Sequence, residues 1–164
     1  VIGRIEVDQK SLTALTSALR KEADGKELTR DLVKMLTVAV SPAAAAARTA
    51  IHSMSSQGKT VGPGLRSAVA ARVAVQVRTG GRSPGVAIRA RKAGMPRGFR
   101  NAPKRLNARK WRHQVYGNPD VYTTQTGRPG WFDATIARHR AAAIKAAEKA
   151  MDGMARRISD RTRG

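Results

Sequence analysis

Three histidines, His52, His113 and His139, are the side chains best suited to metal or proton-transfer chemistry in this chain. None has a second ligand at the spacing of a zinc or other metal site. His52 and His139 fall on polar helical surfaces. His113 lies in an aromatic stretch, where it serves either a local turn or a polar contact across a subunit interface. The carboxylates are scattered and form no general acid and base pair, and no serine sits on a nucleophile turn. Gly58-Lys59-Thr60 has the end of a phosphate loop, but the position five residues earlier is Ser53 and not glycine. The tripeptide also follows a helical pattern where a phosphate loop follows a strand, so a flexible loop is the better reading. Catalysis, cofactors and bound metal are therefore not expected.

Charge and aromatic placement point instead to association. The 32 basic residues against 11 acidic ones give a formal charge of +21 over 164 residues. Such an excess implies a polyanion, an acidic protein partner, or both. Six of the eleven acids lie in the first 31 residues, and none occurs between Asp31 and Asp120. An acidic-leaning N-terminal part and a basic middle suit head-to-tail docking of copies. Cysteine is absent, which excludes disulfides and thiolate metal sites. No apolar run approaches the ~20 residues that span a bilayer, and a soluble cytosolic product is expected.

The elements that position these groups can be read in order. Val1 to Asp8 alternates as a half-buried strand, and Asp8 then stands as the N-cap of a short helix carrying Leu12, Leu15 and Leu19. A second helix starts near Lys26, with Leu28, Leu32, Leu36 and Ile51 on one face; Pro42 inside it predicts a kink or break near Val40. Leu65 to Arg72 reads as another short helix. Val73 to Arg78 and Val86 to Arg91 then alternate as a β-hairpin with one apolar and one basic face. A lone hairpin is marginal, so it needs the N-terminal strand, the Val121 strand or a neighbouring subunit beside it.

From Arg91 to Arg112 the chain carries Arg91, Lys92, Arg97, Arg100, Lys104, Arg105, Arg109, Lys110 and Arg112 with no acid among them. This stretch reads as a long basic loop or arm that contacts a polyanion or an acidic partner. Trp111 to Phe132 holds both tryptophans and both tyrosines. It reads as strand, turn, the strand Val121 to Thr126, a second turn, and an aromatic anchor at the mouth of a long helix. Trp111, His113, Tyr116, Asn118, Tyr122, Gln125, Trp131 and Phe132 are the expected subunit-interface residues. For Trp131 and Phe132, at a helix start, packing into a small core is an equal alternative. The helix from Trp131 carries Ile136, Ala143, Ala147, Met151 and Met154 as an apolar stripe, and Ser159 to Gly164 is expected to fray. The fold class is α+β in a single domain spanning the chain: a small antiparallel sheet, N-terminal helices, a long C-terminal helix and an extended basic arm.

The order of parts around His113, Val115, Tyr116, Gly117, Asn118 and Gln125, followed by Pro129-Gly130-Trp131-Phe132 and an Ala-rich basic helix, resembles the neck or tail-completion proteins of long-tailed bacteriophages. These minor tail components lie between head connector and tail tube. The resemblance implies a non-enzymatic virion protein, made in the host cytoplasm, that forms a ring with itself. It also implies a sixfold ring, neighbouring connector and tail proteins as partners, and nonspecific contact with passing DNA. The rival expectation is a basic accessory protein that binds DNA or RNA without sequence specificity.

Overall fold

The computed structural model describes residues 1–54, 64–115 and 118–163. Gly58-Lys59-Thr60 and Tyr116 lie outside the described residues. The polypeptide opens with β1 (Ile2–Ile5), and Asp8 then caps α1 (Gln9–Lys21) by accepting from the backbone N–H groups of Lys10 at 3.2 Å and Ser11 at 3.0 Å. Its buried face is Leu12, Leu15, Thr16 and Leu19, the helical spacing seen in the sequence.

α2 (Gly25–His52) is one continuous helix through Pro42. The expected break is absent for an identifiable reason. Proline at 42 deprives the Val38 carbonyl of its helical donor, and the Ser41 hydroxyl donates to that carbonyl at 2.8 Å. Pro42 is also exposed, so its ring meets solvent on that side of the helix. The inward face, from Leu28 through Leu36 and Val40 to Ala47 and Ile51, is buried throughout.

After the short α3 (Gly64–Ala70), β2 (Val73–Arg78) and β3 (Gly85–Ala90) form the expected hairpin. The strand that joins it is the N-terminal one: β1 pairs antiparallel with β3, giving the order β1-β3-β2. Val73, Val86, Ile88 and Ile5 point into the core. Gly3 shares that face because α5 (Asp133–Arg163) crosses there, and a Cβ at position 3 would stand 2.8 Å from the Ile136 side chain. α2 and α5 are antiparallel. Asp31 pairs with Arg157 at 3.0 Å and Asp24 with Arg161 at 2.7 Å, while Met35 reaches Gly153. The architecture is α+β, with the helical layer on one side of the three-stranded sheet.

Two expectations are corrected. The Ser159–Gly164 tail does not fray from 159: the helix extends to Arg163, and Arg161 is tied to Asp24 across the helix pair. The basic stretch 91–112 is not a projecting arm. It folds back through α4 (Ala102–Arg105), burying Ala102, Pro103 and Leu106 and packing Met95 and Phe99 against the core. Its few apolar residues are enough, because backbone turns such as Leu106 N–H to Ala102 O at 2.8 Å satisfy the chain between them.

Candidate functional site

β4 (Lys110–Val115) and β5 (Asn118–Thr126) form a separate two-stranded ribbon. Its base is pinned to the body. The Trp111 ring is buried, meets Phe99 edge to face at 6.3 Å, and is covered by the Arg105 guanidinium at 5.3 Å from the ring centre. Below it, Gly127 N–H bonds to Arg109 O at 3.1 Å and Arg128 N–H to Leu106 O at 2.9 Å. A side chain at 127 would collide with the carbonyls of Ala108 and Leu106, the latter 2.6 Å from a Cβ built there. Glycine is what allows the ribbon to leave the body at this point.

Along β5 every residue is exposed except Gln125, which is half-buried opposite Trp111. Val121 and Tyr122 expose 47% and 48% of their surface, although both are strand residues of the apolar and aromatic kind that sheets normally bury. Internal contacts hold the ribbon's shape. Arg112 sits 5.1 Å from the Tyr122 ring centre, and the Gln114 side-chain amide donates to Pro119 O at 2.9 Å and to the Tyr122 hydroxyl at 3.2 Å. At the tip, Asn118 Oδ1 accepts from Asp120 N–H at 3.1 Å.

The predicted interface residues therefore separate into two groups. Trp131 and Phe132 are 1% and 0% exposed, stacked edge to face at 5.4 Å, and belong to the core. Their assignment to a subunit interface is corrected, as is that of Trp111. Helix placement explains it: Thr135 Oγ donates to Trp131 O at 2.7 Å, and Asn107 Nδ2 donates to the Asp133 carboxylate at 2.7 Å, fixing the α5 start over the core. Asn118, Tyr122 and Gln125 lie on the ribbon, where the backbone of His113 pairs with Thr123. Of the predicted polyanion contacts, Arg91, Lys92, Arg97, Arg100, Lys104, Arg109, Lys110 and Arg112 are exposed, whereas Arg105 is half-buried over Trp111. His52 and His139 are exposed.

Val121, 47% exposed, was not among the interface residues expected individually, and the basic sheet face was legible in the alternation Val-Ala-Val-Gln-Val-Arg without being singled out as a candidate surface. Among the described residues no group of three or more His, Asp or Glu is placed to hold a metal, and no helix is long and apolar enough to cross a membrane. Ionisation is perturbed where carboxylates gain donors. The Asp8 pKa is lowered by the Ser11 side-chain hydrogen bond and then by the Ser11 and Lys10 N–H groups; that of Asp24 is lowered by the Arg161 guanidinium, whose own pKa is raised in turn. No protein-family model, curated protein or solved structure matches the chain.

Proposed function

We propose that this protein is a structural component of a tailed-phage virion, at the neck or tail-completion position, and that it closes into a ring between tail and head. The ribbon is the observation that carries the reading. A two-stranded ribbon is marginal in water by itself, and β5 offers an exposed strand with Val121, Tyr122 and three threonines outward. Among the described residues both ribbon edges lack a strand partner, as do the outer edges of β1 and β2. A neighbouring copy that covers the ribbon removes the exposed apolar surface and satisfies edge groups together. The location in the virion and the sixfold symmetry rest on the resemblance of the 113–132 segment to neck proteins. Connector and tail proteins above and below are the partners in this reading.

The test is mass in solution, by light scattering on nuclease-treated protein at ~0.5 M salt, where long-range charge effects are screened. A discrete multiple of 17.6 kDa is expected. Tyr122 still exposes roughly half of its ~200 Å² side chain, so covering it stabilises each contact by about 2.5 kcal/mol. Tyr122→Ala is thus expected to raise the dissociation constant per contact by roughly 60-fold. Wild-type protein that stays monomeric up to ~100 μM, well above the Kd of a standard-size interface, refutes the ring.

A further inference from the structure

The sheet has a second face. Register places Arg4 of β1 opposite Ala87 of β3, which in turn lies opposite Gln76 of β2; Arg89 lies opposite Ile2 and Ala74, and Arg78 opposite Gly85. Residues directly opposite one another point to the same side of a sheet, so Arg4, Arg78 and Arg89 share the face turned away from the helices. Ile2, Arg4 and Arg78 are exposed there. A groove of about 200 Å³ runs over this face between β1 and the β2–β3 turn, lined by all three arginines, Gln76 and a single carboxylate, Glu6. None of the three arginines has a salt-bridge partner among the described residues, where the ion pairs formed are Arg157–Asp31 and Arg161–Asp24. The Nε of Arg89 is buried without a hydrogen-bond partner among the described residues.

We propose that this outer face of the β1-β3-β2 sheet is a phosphodiester-binding surface, on which Arg4, Arg78 and Arg89 hold the backbone of a nucleic acid strand. The inference goes beyond the ring and does not rest on it. Three features select the ligand. The arginines occupy three successive cross-strand rows, at the levels of residues 89, 87 and 85 of β3, one per row. Rows lie about 7 Å apart and neighbouring strands about 4.8 Å, so neighbouring arginines stand roughly 8 and 12 Å apart, within reach of successive or alternate phosphates of an extended strand. Ala74, Ala87 and Gly85 on this face are small, beside Gln76 and Ile2, which lets an anion approach the guanidinium forks. An acidic peptide is the poorer fit. Laid across a sheet face it gains none of the main-chain pairing that gives bound peptides their affinity, since only sheet edges supply it. A phosphodiester strand needs no such pairing, because its phosphates carry the binding.

The probe is a fluorescent single-stranded oligonucleotide of about 20 nucleotides, longer than most single-domain site sizes, with anisotropy read from ~0.05 to ~0.4 M salt. Arg4→Gln with Arg78→Gln removes two exposed guanidinium groups. Affinity is expected to fall on the order of tenfold at ~0.1 M salt, and the log–log salt slope to shrink by about 1.4. Lys145→Gln with Lys149→Gln, exposed on α5 in the helical layer, removes the same charge and is expected to change affinity by less than about threefold. Equal losses from the two pairs overturn the proposal, because charge alone then explains binding. Poly-glutamate of matched charge that displaces the probe as well as unlabelled oligonucleotide does overturns it too. Arg89→Lys separates fork from charge: retained charge with several-fold weaker binding supports the site, and unchanged binding removes Arg89 from it. Coincident thermal unfolding of wild type and variants establishes that each variant is folded.

Discussion

Replacing Trp131 with alanine separates a core role from an interface role in one measurement. Trp131 is 1% exposed within a single chain, contacts the fully buried Phe132 at 5.4 Å between ring centres, and stands two residues before α5 in a segment tied back by Arg128 N–H to Leu106 O and Phe132 N–H to Asn107 Oδ1. Truncating a buried tryptophan costs about 3–5 kcal/mol, from lost transfer energy and the cavity left behind. In a domain of this size each kcal/mol moves Tm by roughly 2–4 °C. Trp131→Ala is therefore expected to lower Tm by about 6–20 °C, a large share of a typical ~5–15 kcal/mol stability. Tyr122→Ala, on a half-exposed ribbon side chain, is expected to leave the Tm of the dissociated chain within about 2 °C. The assay is near-ultraviolet circular dichroism against temperature at ~0.5 M salt, at a concentration low enough to dissociate any assembly, so that subunit contacts do not contribute. If Trp131→Ala shifts Tm by less than about 2 °C while abolishing assembly, the side chain acts between subunits and the core assignment made here is wrong.

Gly127→Ala sets a side chain against two backbone carbonyls that cannot swing away, so the ribbon must shift on its base. Loss of the Trp111 environment, read as a change in tryptophan fluorescence, is expected together with about 1–3 kcal/mol of destabilisation in denaturant titration; an unchanged spectrum and midpoint would remove Gly127 from the hinge. Asp8 and Asp24 have folded pKa values below the ordinary 3.8. Their contribution is complete above that value and is lost as pH falls through the folded values, so Tm is expected to drop with acid below about pH 4. Asp24→Asn should flatten that drop relative to wild type, and an identical acid profile in the variant would disconnect Asp24 from it.

The elements that follow from local periodicity were legible in the sequence. Asp8 as a cap, the Leu12, Leu15 and Leu19 face, the β2–β3 hairpin and the aromatic pair ahead of α5 all depend on neighbours within a few residues, where spacing and side-chain type decide the outcome. Of the kink or break expected at Pro42 the break does not occur, because proline's effect depends on whether the orphaned carbonyl finds another donor, and the hydroxyl one residue earlier supplies it. The 91–112 stretch was misread for a different reason. Its composition suggests an arm, but four spaced apolar side chains, Met95, Phe99, Ala102 and Leu106, reach a core built by residues far away in sequence. The choice of β1 as the third strand, and the splitting of buried Trp111 from exposed Tyr122 one face apart on the same ribbon, are likewise long-range facts that no window of sequence contains.

The distribution of charge gains a physical explanation from the fold. With the helical layer on one side of the sheet, the sheet's other side must be solvated, and arginine at alternate positions accomplishes that without interrupting strand pairing. The ribbon solves no such problem. Its exposed valine and tyrosine raise the cost of the free chain in water, and its edges invite pairing, so covering it is favourable. The two surfaces consequently answer salt in opposite ways. Proposed phosphate contacts of the arginine face are expected to weaken as counterions compete, whereas burial of Val121 and Tyr122 in a proposed assembly is expected to persist or strengthen when salt rises. A basic protein that only coated nucleic acid would require the first surface and have no use for the second. The exposed strand is the observation that favours the proposed assembly over a protein that only coats nucleic acid, and the proposed phosphodiester surface on the sheet is independent of it.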